Sequence, residues 1–161
     1  MKITIRTDGE PGTKRLQSKF KKLARGLKNR RTLMNRIGVQ LLNAVARNFK
    51  DQGHEGTPWE ALKPHTLARR RTGKGVKKGR GRGRILENTG DLRRSFAKEA
   101  TNDSVRVGSN VEYAPTHEFG SGPVPRRKML PSVRVGLQTA IDVTESYVAE
   151  QTAKAGLKGG A

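Results

Sequence analysis

The sequence contains no cysteine and has few aromatic or other apolar residues. The missing cysteine excludes a disulfide scaffold, a thiolate metal site and a cysteine nucleophile. Hydrophobic residues make up 32% of the 161 residues and aromatic residues 4%, so we do not expect a full-sized core to involve the whole chain. No apolar run approaches the ~20 residues that span a bilayer, and residues 1–6 lack the apolar region of a secretory signal. These absences favour a soluble protein made inside the cell.

Basic residues are in large excess, and they are concentrated in two segments. The formal net charge is +20, from 34 Lys and Arg against 14 Asp and Glu. Residues 14–36 contain ten basic and no acidic residues, and residues 63–84 again contain ten basic and none acidic. The rest of the chain is balanced, with 14 residues of each sign. Because local fields steer association, this distribution predicts contact with a polyanion or with an acidic protein surface.

The first basic segment has the apolar spacing of a helix. Its apolar residues recur at intervals of four, three and four on one face: Leu16, Phe20, Leu23 and Leu27. Thr13 is the candidate N-cap, and Gly26 or Asn29 is the candidate end. A core helix is predicted directly afterwards, over residues 32–50, with Thr32 as its N-cap.

The second basic segment, residues 63–84, predicts a different structure. It has almost no apolar residues, and five glycines punctuate it after residue 72. Such a stretch cannot bury enough surface to offset the entropy of ordering, so we predict a long basic loop. Its candidate contacts with DNA or with a protein partner are Arg69, Arg70, Arg71, Lys74, Lys77, Lys78, Arg80, Arg82 and Arg84.

The remaining patterns predict an α+β fold. The elements are an edge strand over 2–7, a short helix over 89–96, strands over 97–100 and 104–108, and a helix from Pro131 to Ala153. Trp59 and Leu62 are expected to seal one edge of the core. Strands mixed with helices, without βαβ repeats, indicate a small antiparallel sheet packed with two or three longer helices. We predict one domain over residues 1–155 and a flexible tail over 156–161.

No arrangement of residues predicts catalysis or metal binding. The glycines at 79–83 lack the spacing and the flanking strand of a phosphate-binding loop. The three histidines include no pair at metal-ligand spacing, and no acidic pair stands out as a general acid and base. Ser95 and Ser109 have no evident base partner. We therefore expect no catalytic residue, no metal, no cofactor and no enzymatic activity.

Nucleic-acid binding by the basic segments is an alternative. Clustered Lys and Arg neutralise phosphates and release counterions, which gives salt-dependent, sequence-independent affinity. Residues 63–84 contain no aromatic residue and so offer no stacking platform for single strands. A loop whose charges are merely solvated is a further interpretation. The amphipathic helices near 13–27 and 131–153 fit a membrane surface less well than packing in the core or between subunits, because their apolar faces are narrow and lack Trp.

Several motifs also occur in a recognisable order. They are Trp-Glu-Ala-Leu at 59–62, Ile-Leu-Glu-Asn-Thr-Gly-Asp-Leu-Arg-Arg-Ser at 85–95, Val-Arg-Val-Gly-Ser-Asn at 105–110, Tyr-Ala-Pro-Thr-His-Glu-Phe-Gly at 113–120 and Pro-Arg-Arg-Lys-Met-Leu at 125–130. Over roughly residues 30–150 this order resembles the virion morphogenesis family of tailed phages, the tail completion proteins of Mu-like phages. The basic segment is longer and richer in Gly than is usual there. Pro115 and Lys128 also depart from the family pattern.

The resemblance implies a non-enzymatic structural protein of the bacteriophage virion. Such proteins act as rings of identical subunits in the neck, where they complete the tail and serve in head–tail joining. The implied partners are further copies of the chain (six, if the usual tail symmetry applies), the tail terminator or tail tube, and the head connector. The chain would reach the virion from the host cytoplasm, with no membrane and no small-molecule substrate. The alternative is a free, sequence-independent nucleic-acid-binding protein.

The resemblance also implies roles for individual residues. In a ring, residues 63–84 would line a lumen beside the DNA end or meet an adjacent ring. Family-motif positions expected in subunit packing are Trp59, Thr89, Gly90, Leu92, Arg93, Ser95, Tyr113, His117, Phe119, Gly120, Pro125 and Arg126. We expect the Thr89 hydroxyl to cap the Leu92 amide. Three side chains would pack that short helix against the strands: Tyr113, His117 and Phe119. Arg126 and Arg127, on a stiff connector, would meet acidic groups of a neighbouring subunit.

Overall fold

The computed structural model describes residues 11–72 and 83–157, and it has the predicted α+β architecture. Its described part contains six helices: α1 (Pro11–Lys28), α2 (Arg30–Asp51), α3 (Pro64–Thr72), α4 (Asp91–Arg94), α5 (Ala114–Phe119) and α6 (Val133–Lys154). The strands are β1 (Gly53–His54), β2 (Thr57–Pro58), β3 (Phe96–Ala100) and β4 (Val105–Ser109), and they form two antiparallel pairs. The strand predicted at 2–7 and residues 158–161 of the predicted tail lie outside the described residues.

Helices α1 and α2 are the two helices predicted near the N-terminus, but both begin earlier than the sequence suggested. Thr13 and Thr32 therefore lie inside the helices, and the prediction that they act as N-caps is wrong. Pro11 opens α1, because its fixed φ suits the first turn of a helix. Asn29 alone separates the two helices, with φ −84° and ψ 72°, and its carbonyl accepts a hydrogen bond from Thr32 N at 3.3 Å.

The hairpin of β3 and β4 packs on α2. Phe96 pairs with Ser109 and Ala100 with Val105, so the turn falls where the sequence predicts it. Helix α2 meets the hairpin at the buried Gly38. A Cβ at that position would lie 2.8 Å from Cγ2 of Val105, so glycine permits this close approach.

The centre of the core is an aromatic contact at the C-terminal end of α2. Phe49 has no exposed surface, and its ring meets those of Trp59 and Phe96 edge-on, with centroids 5.4 and 5.9 Å apart. The buried cluster consists of Val45, Phe49, Trp59, Leu86, Leu92, Ala114 and Met129. Trp59 thus lies in the core as predicted, whereas Leu62 is only partly buried.

Residues 64–72, which were predicted as part of the basic loop, form the helix α3 instead. Pro64 suits the start of a helix, and every glycine of the basic segment lies after residue 72. The carbonyl of Lys63 accepts hydrogen bonds from the amides of Thr66 (2.9 Å) and Leu67 (3.2 Å). The loop prediction was wrong here because it averaged composition over the whole segment. Residues 73–82 lie outside the described residues.

Helix α6 is the predicted C-terminal helix, and it begins at Val133 rather than at Pro131. The Ser132 side chain caps it by accepting a hydrogen bond from Val135 N at 3.3 Å. The buried Tyr147 faces α2 and α1, and its hydroxyl donates to the carbonyl of Gly26 (3.0 Å). Leu137, Ile141 and Val148 lie on one face of α6 and are exposed, and Thr144 between them is partly buried; these four residues are here called the α6 stripe.

The C-terminal half of α6 is held against α2 by charge. Glu150 accepts a hydrogen bond from Arg36 Nη1 at 2.5 Å and a second from Lys154, one turn further along. The Arg36 guanidinium also lies 5.1 Å from the ring centroid of Tyr147. These hydrogen bonds, that of Arg36 above all, lower the pKa of Glu150 from 4.5 to about 2.

This contact predicts how acid acts on the fold. The stabilisation from the lowered pKa is fully present above about pH 4.5 and is lost as the pH falls towards 2. Thermal unfolding of the native chain and of Glu150→Gln should therefore differ by a constant amount above pH 4.5, and the gap should close below it. Glu145→Gln, on the same helix, is the matched control. A gap that stays constant down to pH 2 would contradict the assignment.

Candidate interaction surfaces and family motifs

The structure describes only part of the cationic contact set predicted at 63–84. Arg69 and Arg70 project from α3, and Arg71 belongs to the same helix, although its side chain is outside the described part. Arg70 Nη1 donates to the carbonyl of Arg84 (2.7 Å). Burial is the main cause that lowers the pKa of Arg70, and the positive charge of Arg127 nearby lowers it further. Five further predicted contacts lie outside the described residues: Lys74, Lys77, Lys78, Arg80 and Arg82.

Arg84, at the end of this segment, binds within its own subunit. Its Nη2 donates to the carbonyls of Phe49 (2.8 Å) and Lys50 (3.3 Å), and its Nε pairs with Glu87 at 3.0 Å. The last carbonyls of a helix carry partial negative charge, so a guanidinium placed there stabilises the end of α2. Contact of Arg84 with DNA or a partner stays a prediction, but the side chain already has a structural role.

The motif at 89–95 forms the short helix α4, which buries Leu92 in the core. Gly90 precedes the helix with φ +82°, a conformation that glycine adopts without strain. The predicted cap of Leu92 by Thr89 is wrong. Because Gly90 is the N-cap residue, the Thr89 hydroxyl lies one position too early; it donates to Asp91 Oδ2 (2.5 Å) and accepts weakly from the Asp91 amide (3.4 Å).

Two motif side chains hold α4 in place. Arg93 Nη1 lies 3.4 Å from Oε2 of the buried Glu87. Ser95 Oγ donates to the carbonyl of Leu92 (2.7 Å), which leaves it to accept from Ser109 Oγ at 2.6 Å. Ser109 Oγ in turn accepts from the amide of Val111 (3.1 Å). Both hydroxyls therefore bind the fold, and no base contacts either of them in the described residues.

The aromatic residues of the motif at 113–120 do not pack as predicted. Phe119 is 71% exposed and Tyr113 48% exposed, so neither holds a helix against the strands. Helix α5 turns them outward, and its buried position is Ala114. His117 is partly buried, and its Nδ1 is buried without a hydrogen-bond partner. Burial is the main cause that lowers the pKa of His117, and the positive charge of Arg127 lowers it further.

Of the two cations after Pro125, only one is exposed. Arg127 is buried and donates to the carbonyl of Glu60 from both Nε (3.0 Å) and Nη2 (2.9 Å). Its expected contact with a neighbouring subunit is therefore wrong, because backbone carbonyls of its own subunit take the guanidinium. Arg126 is exposed and reaches the carbonyl of Glu118 at 3.3 Å. Gly120 has φ +78°, and a Cβ there would lie 3.2 Å from Arg126 N, so any other residue would be strained and crowded.

Residues 127–130 have no regular secondary structure, and side chains from elsewhere bind their backbone. Two side chains donate to its carbonyls: Asn48 Nδ2 to that of Met129 (3.0 Å) and Trp59 Nε1 to that of Lys128 (2.9 Å). His54 Nε2 lies 2.9 Å from the carbonyl oxygen of Leu130. Glu118 Oε2 accepts from the amides of Met129 (2.6 Å) and Leu130 (3.2 Å). Sequence reasoning passed over Glu118, although it lies between His117 and Phe119 in a motif already singled out.

The described residues offer little chemistry for a reaction. In residues 11–72 and 83–157 no group of three His, Asp or Glu residues could hold a metal ion. A cavity of about 270 Å³ lies beside the β1–β2 turn, lined in part by Asn48 and Glu55, and a larger open groove of about 810 Å³ runs along the C-terminal half of α6. No helix in this part of the chain is both long and apolar enough to cross a membrane.

Two helices expose apolar side chains on one face. On α1 the predicted residues Leu16, Phe20, Leu23 and Leu27, here called the α1 stripe, stand largely in solvent, and only Leu23 is partly covered. On α6 the stripe defined above is exposed in the same way, and Val133 extends it. Most of both stripes is thus not packed in the core of the subunit, and packing between subunits stays a prediction.

Comparison with known proteins agrees with the motif order. A model of the phage virion morphogenesis family matches residues 12–150. The Mu-like prophage FluMu G protein 2 of Haemophilus influenzae is 29% identical over 114 residues, which cover 71% of this chain and 70% of that protein. No solved structure matches the chain.

Proposed function

The chain belongs to the phage virion morphogenesis family, and we propose that it is a non-enzymatic structural protein that completes the tail and joins it to the head at the neck, as a ring of identical subunits. The observation that carries the proposal is the family match, which covers both long helices that expose apolar stripes. Proteins that assemble need such surfaces, because monomers rarely expose large contiguous apolar patches.

The use of polar side chains within the subunit supports a structural role. Arg84, Arg127 and Glu118 all bind main-chain atoms. The Ser95 and Ser109 hydroxyls bind each other and the main chain of Leu92 and Val111. These groups fix irregular backbone in place, which suits a subunit whose shape has to fit its neighbours. The function then depends on surfaces and their geometry, and not on a reactive group.

In a ring, the basic segments at 63–84 of all the subunits would together form a region of high positive charge. Each copy brings ten cations in this segment, so a closed ring concentrates them around one axis. A dense cationic lining would hold the DNA end by phosphate attraction, yet the same attraction would slow ejection. Docking of the segment on an acidic face of the tail terminator or the head connector avoids that conflict. The test below therefore distinguishes contact of this segment with DNA from contact with protein.

Imaging of the virion neck at high resolution tests the function directly. We expect density for this chain as a closed ring between the tail and the head, and the direction of residues 63–84 then separates DNA contact from protein contact. Absence of the chain from purified virions would overturn the proposal. The rival is a free nucleic-acid-binding protein, which would follow nucleic acid during purification and dissociate as salt rises.

The DNA contact has its own quantitative test. If residues 63–84 bind phosphates, the variant with Lys74, Lys77 and Lys78 all changed to Gln should weaken DNA binding. The slope of log K against log salt should also become shallower by about 0.9 for each phosphate that the variant no longer neutralises. The matched control changes Lys14, Lys21 and Lys22 of α1 to Gln. Equal slopes for the loop variant and the native chain would exclude phosphate binding by these three lysines.

A further inference from the structure

The α1 and α6 stripes have the same spacing. Leu16, Phe20, Leu23 and Leu27 recur at intervals of four, three and four residues. The α6 stripe, from Leu137 to Val148, repeats those intervals. Each spans eleven residue steps, or about 16 Å of helix, and this is the alternation with which two helices interdigitate along a seam. The two faces therefore match in length and period.

Both stripes are exposed in the subunit except at Leu23 and Thr144, which are partly buried. Phe20 is 54% exposed, and Leu137 and Ile141 are 62% and 51% exposed. Helix α1 also contacts α6 of its own chain, and on that side Leu23 is the stripe residue that is partly buried. Lys19 Nζ donates to the carbonyl of Gly156 at 2.7 Å, and the carbonyl of Gly26 accepts from Tyr147. These intrachain hydrogen bonds lie towards the C-terminal end of α6 and do not involve the stripe.

Charge distinguishes the possible pairings. Helix α1 carries seven basic residues and no acidic one, so two α1 helices brought face to face would repel each other. Beside its stripe, α6 exposes the carboxylates of Asp142 and Glu145. Its third acid, Glu150, already pairs with Arg36 and Lys154. Complementary charge therefore favours α1 against α6 over either helix against itself.

We propose that the α1 stripe of one copy packs against the α6 stripe of the next copy. This contact rests on the proposed function, for which it supplies the subunit interface. It joins two different surfaces, so each copy keeps one free stripe of each kind and can bind a neighbour on both sides. Such a head-to-tail contact closes into a ring when the rotation between copies permits it. A contact between identical surfaces would stop at a dimer.

The absence of cysteine allows a direct test by disulfide trapping in the full-length chain. The double variant Phe20→Cys with Ile141→Cys should form a ladder of covalent oligomers beyond the dimer on mild oxidation. Each single variant has one cysteine and can form at most a dimer; we expect no dimer either, because that cysteine would meet an apolar side chain without a thiol in the neighbour. The matched control pairs Phe20→Cys with Glu99→Cys, which is exposed on β3, and it should stay uncross-linked.

Three results would overturn the contact. Efficient dimers from Phe20→Cys alone would mean that α1 meets α1. A disulfide formed within one chain of the double variant would mean that α1 folds back on its own α6. No cross-link at all would exclude the pairing. Light scattering of the native chain and imaging of the neck test the proposed function independently of the cross-link. If they show a ring but the double variant does not cross-link, this interface is rejected while the ring is retained.

Discussion

Phe49→Ala should lower the free energy of unfolding by about 3–5 kcal/mol, the range found when a fully buried phenylalanine is truncated. Phe49 has no exposed surface and lies between the edge-on rings of Trp59 and Phe96. Its removal would leave a cavity where α2, the 52–59 turn and the β3–β4 hairpin meet. Those elements are held apart by other contacts, so the cavity cannot close fully.

The matched control is Phe119→Ala, which removes the same side chain from a position that is 71% exposed. We expect its effect on stability to stay within about 0.5 kcal/mol, as for most surface substitutions. Urea unfolding followed by circular dichroism measures both variants. Equal losses of stability for the two would mean that the core is not centred on Phe49. If Phe119 serves an interface, its variant should change assembly and not stability.

Arg127→Met should lower the free energy of unfolding by about 1.5–3 kcal/mol, the usual contribution of hydrogen bonds from a charged donor. The guanidinium donates twice to the carbonyl of Glu60, and so joins the segment after Trp59 to the segment after α5. Methionine keeps much of the volume and removes the donors. Burial already lowers the pKa of Arg127, and relief of that cost offsets part of the destabilisation.

Arg126→Met is the control for this prediction, because Arg126 is exposed and makes one long hydrogen bond, at 3.3 Å, to the carbonyl of Glu118. The resulting decrease in stability should stay below about 0.5 kcal/mol. Denaturant unfolding and light scattering of both variants separate stability from assembly. If Arg127→Met left stability unchanged and abolished oligomers, the residue would belong to an interface after all.

The periodicity of apolar residues in the sequence predicted α2 and α6, because a helix with one apolar face has apolar residues every three or four positions. It could not say what covers each stripe. On α2 the stripe meets the hairpin, whereas on α6 the contact with α2 passes through Gly136 and Tyr147, and the apolar repeat faces out. A repeat tells which residues share a face, and only tertiary contacts decide whether that face is inside the subunit.

Charge and aromaticity were poorer guides to position than periodicity. Arg127 had the sequence pattern of an exposed cation, but it is buried and donates to the carbonyls of Glu60 and Ala61. Phe119 had the pattern of a core residue, but it is exposed at the end of the six-residue helix α5. Local composition likewise missed α3. For Arg127 the outcome depended on backbone carbonyls 66 and 67 residues away, which no short window of sequence contains.

The anchoring of residues 127–130 has a consequence for divergence within the family. Its partners bind main-chain oxygen and nitrogen atoms, which are present whatever the side chain. Trp59 takes the carbonyl of Lys128, and a proline at 128, which lacks only the N–H, would present the same oxygen. Lys128, which is only partly buried, can therefore change without moving this backbone, whereas Arg127 and Met129 are buried and are held by contacts of their own side chains.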